Sequence, residues 1–256
     1  MARGRLWTRE ELILTLSVYY QLPFGRLNDT TPEVIELAQL IGRSTGTTAM
    51  RLCNYAACDP YIINSGRHGM VGGVNTCKPI WDEFYGHTEE LFWQAQQIKA
   101  DMMNMPIEKT LQISPKDYTG KERQAVVRQR VNQSYFRAMV LNNYEMRCAV
   151  TGINISDMLV ASHIIPWASN AETRLNPENG ICLSALYDRA FDKGYITINP
   201  STYQFVLSSA LMEYQSESYF EKHFKIIDNQ KMIMPIEHIP NREFLDYHYR
   251  HIFKGG

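Results

Sequence analysis

The chain has 256 residues, enough for one large domain or two modest ones, and its 45% hydrophobic and 21% charged fractions are those of an ordinary globular protein. A formal net charge of -1 excludes coating of nucleic acid by bulk attraction, and no apolar run reaches the roughly 20 residues of a bilayer span. Five cysteines with no Cys-x-x-Cys pair argue against a disulfide framework or a zinc ribbon, and Met1 to Trp7 lack the apolar core of a leader, so a cytoplasmic protein off the membrane is expected.

Residues 1–100 read as helical. Thr8-Arg-Glu-Glu11 has the form of a capping box, and Leu12, Leu16, Tyr19 and Tyr20 follow at helical spacing. Thr31-Pro32 starts a second helix, with threonine as N-cap and Val34, Leu37, Ala38 and Ile41 as its apolar stripe, until Gly42 closes it. Ser44 caps a third through about Ala57. Two helices joined by a short glycine turn have the form of a helix-turn-helix, whose second helix would offer Arg43, Thr47, Thr48, Arg51 and Asn54 to DNA. A plain helical bundle with these residues facing water fits the same pattern.

Residues 65–79 read as a glycine-rich surface loop, and one helix is expected from Trp81 to about Lys99. Pro106, Pro115 and Thr119-Gly120 mark a linker over 106–120, which divides a helical domain, 1–105, from a second domain, 121–256. Charge is uneven across that division. Residues 106–145 carry seven Lys/Arg against four Asp/Glu, whereas residues 1–105 carry nine against eleven. A long helix from about Lys121 to Asn142 places Arg128, Arg130 and Arg137 on polar positions, either as a solvated basic face or as a track for phosphates.

Beyond Arg147-Cys-Ala-Val-Thr-Gly152, read as a strand and turn, the chain concentrates its chemistry. Met158 to His163 is a short apolar strand ending on histidine, Ala168 to Glu178 is a polar loop, and Ile181 to Leu183 is a second strand. A helix starting near Ser184 then contains Asp188 and Asp192, which stand four apart and so share one face, close enough to share a cation. Strand, loop, strand and helix form a ββα unit. Phosphodiester hydrolysis needs a base for water and a cation for the charge growing on phosphorus and on the leaving oxygen. A neutral imidazole suits the first task, and oxygen ligands favour Mg²⁺ or Mn²⁺ for the second. His163 is therefore the candidate base, Asp188 and Asp192 are candidate metal ligands, and Asn179 is the residue expected to hydrogen-bond across the loop and fix the strand that presents His163.

Ser162-His-Ile-Ile-Pro-Trp167, Asn176-Pro-Glu-Asn-Gly-Ile-Cys-Leu183 and Asp188-Arg-Ala-Phe-Asp-Lys-Gly194 together resemble the HNH, or ββα-metal, endonucleases, in the branch common among bacterial restriction and defence proteins. The resemblance covers roughly the last 130 residues. It implies an α+β protein in which a helical N-terminal module with a helix-turn-helix precedes a C-terminal HNH nuclease that cuts DNA with one divalent ion per site. Under it His163 is the general base, Asn179 the structural asparagine, Asp188 the metal ligand at the third motif position and Asp192 an optional further ligand. Ser162 occupies a place where many relatives have an acidic or histidine ligand, and Arg189 lies beside the site as a DNA contact. Cutting both strands implies a homodimer or two encounters. His248 and His251, near the end of a last helix over about 241–253, are read as packing or helix-end residues.

Overall fold

A computed structural model describes residues 5–111 and 120–255, so Pro115 and Thr119, two of the linker's landmarks, lie outside the described residues. The chain divides into two compact units, Met1–Tyr135 and Phe136–Gly256, with the dividing point inside a helix.

The first unit is helical. α1 (Arg9–Gln21) opens with the expected capping box, Thr8 accepting from the Glu11 amide while the Glu11 carboxylate accepts from the Thr8 amide. α2 (Pro32–Ile41) begins at proline, but the Thr31 hydroxyl makes no cap; it donates instead to the Arg26 carbonyl at 2.7 Å. α3 (Thr45–Ala56) is capped by Ser44 and packs against both α1 and α2. Its Tyr55 is fully buried and donates to the Leu12 carbonyl of α1 at 2.9 Å. α4 (Pro60–Asn64) starts on Asp59.

Two expectations for this unit need correction. The glycine-rich stretch is not a loop to its end: α5 (Val74–Phe84) begins within it and holds Pro79 inside the helix. The single helix expected from Trp81 is two, because the chain turns through Tyr85-Gly86-His87 before α6 (Thr88–Met102). Apolar residues on both sides of that turn enter one core, with Trp81, Phe84, Leu91 and Phe92 all buried, so hydrophobic spacing alone hides the break. α7 (Ile107–Thr110) is a short turn of helix in what reads as linker, and α8 (Gly120–Asn143) follows.

The second unit begins within α8 and is built on β1 (Leu159–His163) and β2 (Gly180–Ser184), paired antiparallel with His163 opposite Gly180 and Ser162 opposite Ile181. Gly180 is required there, since a Cβ would lie 2.2 Å from the Val140 methyl and 2.9 Å from the Phe136 ring, both on α8. α9 (Ala185–Asp192) packs across both strands. Residues 148–152 form turns rather than the expected strand, although the Ala149 amide donates to the Cys182 carbonyl at 2.7 Å.

A second ribbon pairs β3 (Ile196–Ile198) with β4 (Phe205–Leu207), the hairpin that the sequence predicts from Tyr195 to Ile198 and Tyr203 to Leu207 about the turn Asn199-Pro-Ser-Thr202. After α10 (Ser209–Met212) and α11 (Ser218–His223), the apolar pattern of Phe224 to Met234 predicts a pair of strands around Asp228-Asn-Gln, but the chain forms a 3-10 turn, Lys225–Ile227, and one isolated bridge between Gln204 and Lys231. Phe220, Phe224 and Ile227 are buried by α11 and this turn, which satisfies the apolar residues without a strand.

α12 (Arg242–His251) returns to the core through Leu245 and His248. His248 is 1% exposed, stacks on Phe191 with centroids 3.7 Å apart, and has both ring nitrogens within hydrogen-bond distance of partners, Thr197 Oγ1 at 2.9 Å and the Phe191 carbonyl at 3.1 Å. A carbonyl only accepts, so Nε2 carries the proton and Nδ1 accepts from the threonine. Burial holds this imidazole neutral and pushes its pKa down to about 4. The unfolded chain takes up the proton below about 6.5, so stability is complete above that pH and falls by about 3 kcal/mol as the pH drops toward 4. Urea unfolding from pH 7 to 4.5 is expected to show this loss, and His248→Gln, less stable at pH 7, is expected to lose less on acidification. Parallel losses in the two proteins would remove the assignment.

Candidate active site

β1, the turn that enters β2, and α9 carry six of the expected residues in one unit, Ser162, His163, Asn179, Asp188, Arg189 and Asp192. Alternation along β1 sends Ser162 toward α9 and His163 toward α8. The His163 ring lies flat on Phe136, with centroids 3.7 Å apart and planes at 13°, and Trp167 meets its edge at 5.5 Å. His163 Nε2 is 3.1 Å from the Arg174 carbonyl. That carbonyl fixes the proton on Nε2 and leaves Nδ1 as the basic nitrogen, with no hydrogen-bond partner among the described residues. Burial lowers the pKa of His163, partly offset by the hydrogen bond to Arg174, so the ring is the neutral, proton-accepting form at pH 7.

Asn179, with no exposed surface, closes the loop between the strands. Its Oδ1 accepts from the Ile165 amide at 2.8 Å, and its Nδ2 donates to the carbonyls of Ile165 and Thr173, each at 3.2 Å. Its own carbonyl accepts from the Ile164 amide at 2.9 Å. The two residues that leave β1 are thereby tied to the residue that enters β2.

On the other side, burial raises the pKa of Asp188, opposed by the hydroxyl of Ser162 and by Arg189. Loss of solvation also raises Asp192, and the charge of Asp188 adds to it, which places the two carboxylates within electrostatic reach of each other. The Ser162 hydroxyl is buried, faces Asp188 closely enough to affect it, and makes no full hydrogen bond. A half-buried Asp188 beside an orphaned hydroxyl, with the exposed Asp192 one helical turn on, fits a hard divalent cation held through one or two acidic residues, with water or phosphate oxygens completing its shell. No group of three or more His, Cys, Asp or Glu side chains with metal-binding geometry occurs among the described residues.

Residues 148–199, which include β1, β2, α9 and β3, match the family model described as HNH endonuclease. The C-terminal half of this chain carries an HNH domain. Such domains are nuclease domains, and the three motif residues His163, Asn179 and Asp188 all fall inside the matched segment of this one. A comparison with curated proteins finds no match. No helix among the described residues is long and apolar enough to cross a membrane.

The basic and polar residues outside the HNH motif behave differently. Two of the α3 residues expected to face DNA, Thr48 and Asn54, are buried and hydrogen-bond the carbonyls of Ser44 and Met70 instead. Arg43 pairs with the buried Glu11 at 2.6 Å and donates to the carbonyls of Arg5 and Leu6. Arg51 donates to the Gly73 carbonyl and, with Arg43, flanks the Trp7 ring. Thr47 contributes to the Ser44 cap. Helical periodicity identified α3 but not its depth: it is wedged among α1, α2 and α5, and its polar groups satisfy neighbouring backbone.

Arg137 is also committed, donating to the carbonyls of Leu159 at 2.7 Å and Ser156 at 3.1 Å, where it holds the entry to β1. Arg128 pairs with Glu90 and covers Trp93, and Arg130 reaches Gln133; both belong to the first unit. Arg189 is exposed on α9. Sequence reasoning missed Phe136 and Arg174 as neighbours of the base. Phe136 reads only as an inward helix position, and Arg174 sits in a loop with no periodicity to mark it.

Proposed function

We propose that the protein is a metal-dependent DNA endonuclease of HNH type, hydrolysing phosphodiesters to a 3′-hydroxyl and a 5′-phosphate, in a restriction or antiviral defence setting. The observation that carries this reading is the state of His163, a neutral imidazole with one nitrogen tied to the Arg174 carbonyl and the other left basic. Nδ1 of His163 takes the proton of an attacking water. Asn179 keeps the loop closed, so the ring does not swing. Asp188 and Asp192, with Ser162 beside Asp188, would hold Mg²⁺ or Mn²⁺ through oxygen, and the chemistry such an ion would supply is neutralisation of charge on phosphorus and on the leaving 3′-oxygen. Arg189, exposed on α9, is the DNA-backbone contact in this reading. One site cuts one strand, and a homodimer is the simplest route to a double-strand break.

Plasmid cleavage with Mg²⁺ or Mn²⁺ tests the reading. Wild-type protein is expected to nick or linearise the plasmid and to stop in excess chelator, while Asp188→Asn is expected to lose cleavage. Burial raises the pKa of Asp188, so its charge opposes folding of the metal-free protein. The melting temperature of metal-free Asp188→Asn is therefore expected to lie above that of wild type. An active Asp188→Asn, or a wild type indifferent to chelator, would sink the metal assignment.

A second reading concerns the first unit alone, which here serves as a sensor or docking module and not as a sequence reader. Two features favour it: Thr48 and Asn54, two polar residues of α3, are buried, and a cavity of about 750 Å³ opens among Leu14, Val18, Leu37, Gln96, Lys99 and Tyr135. Affinity for modified and unmodified duplexes, measured on the full chain in chelator, decides whether it responds to a modified base. Equal affinity removes that version.

A further inference from the structure

The loop between β1 and β2 contains one residue that touches the base's surroundings in three ways. The Arg174 carbonyl is 3.1 Å from His163 Nε2. Its Nε donates to the Trp167 carbonyl at 2.8 Å, and its guanidinium lies over the Trp167 ring, 5.3 Å from the centroid. Trp167 in turn stands edge-on to His163, at 87°. His163, Trp167 and Arg174 thus form a closed circuit.

Holding a loop needs one N–H, and Nε supplies it. The two terminal nitrogens of Arg174 have no hydrogen-bond partner among the described residues. Arg137, by contrast, has both of its terminal nitrogens on carbonyls. Arg174 is therefore a cation whose position is already fixed by stacking and by one hydrogen bond, with a fork of four N–H groups left over. Prior fixation lowers the entropy lost when a ligand arrives, and a planar fork matches two oxygens of one phosphate.

We propose that Arg174 binds a phosphate of the DNA strand presented to His163, through its two terminal nitrogens. The proposal rests on the nuclease reading above and adds to it the residue that registers the strand against the base. Because the same residue supplies the carbonyl that orients His163, phosphate contact and base orientation are linked through one short stretch of backbone.

The test uses the full chain in chelator, where no cleavage occurs, and a fluorescent duplex of about 20 base pairs in an anisotropy titration over a salt series. Arg174→Met is expected to weaken binding about tenfold near 0.15 M salt and to reduce the slope of log affinity against log salt by about 0.9, the value for one lost phosphate contact. Arg174→Gln, which keeps a donor for the Trp167 carbonyl, is expected to lose the same slope and serves if the methionine variant does not fold. Arg174→Lys keeps the charge, so the slope stays near wild type while affinity falls for want of the fork. Unchanged slopes in both neutral variants, with wild-type binding intact, overturn the role of Arg174 and leave the nuclease reading standing. A wild type that neither binds the duplex nor cleaves plasmid with Mg²⁺ or Mn²⁺ overturns both.

Discussion

His163→Ala is expected to lower the rate of plasmid cleavage by roughly 10²–10⁴-fold, the range that a positioned general base contributes. The size follows from how much of the surroundings serves this one ring. Phe136 covers one face, Trp167 meets an edge, and the Arg174 carbonyl occupies Nε2, so the protein offers Nδ1 as the acceptor with little freedom to reorient. DNA affinity in chelator is expected to change little, because the ring is mostly enclosed and bears no charge at neutral pH; the loss belongs in kcat. The pH profile follows from the direction of the shift. Burial favours the neutral ring, so His163 stays a base below the ordinary histidine value of 6.5, and the acid limb of activity is expected below that pH. Single-turnover cleavage at saturating metal from pH 5 to 8 measures both effects. An alanine variant cleaving at the wild-type rate would remove His163 from the chemistry, whatever its DNA affinity.

How far the chain was legible varied with the type of signal. α1 and its capping box, α8, the β1–β2 ribbon and the β3–β4 hairpin were all written in local patterns whose physical cause is also local: side-chain caps, apolar alternation, and a helix spacing that puts Asp188 and Asp192 on one face. What local patterns do not encode is depth. Thr48, Arg51 and Asn54 look like a polar recognition face because polar residues usually meet water. Here they satisfy backbone groups in a crowded bundle. The Phe224 to Met234 stretch is the converse, apolar residues that read as a strand pair, whereas Phe224 and Ile227 are buried at a 3-10 turn beside a short helix.

The candidate site was more legible than its support. His163, Asn179 and Asp188 are fixed by chemistry that tolerates few residue types, so they leave a pattern in one dimension. Phe136 and Arg174 act through a ring face and a main-chain carbonyl, functions that many residues could supply and that no spacing announces. Their contribution is visible only when the loop is closed, and what closes it is Asn179.

Asn179→Ala is expected to be the most destabilising single change in this domain. It removes three side-chain hydrogen bonds and strands the Ile165 amide and the carbonyls of Ile165 and Thr173 around a residue with no exposed surface. Each stranded group costs about 1–3 kcal/mol, so the three together give a loss on the order of 3–9 kcal/mol, a large part of a typical total of about 5–15 kcal/mol. Cleavage should fall further than stability alone explains, since the freed loop carries the Arg174 carbonyl that orients His163. Asn179→Asp separates hydrogen bonding from packing. The carboxylate keeps the acceptor for the Ile165 amide but faces two carbonyls where Nδ2 donated, so at pH 7 it is expected to be at least as damaging as alanine. Protonation restores one donor. Burial beside carbonyls raises the folded-state pKa of that aspartate above its unfolded value, so the variant gains stability relative to wild type as the pH falls, the reverse of the trend set by His248. Urea unfolding of the two proteins between pH 7 and 5 is expected to show the gap narrowing. A constant gap would mean that the aspartate makes its contacts through relaxed backbone, and that the Asn179 amide is not what holds the loop shut.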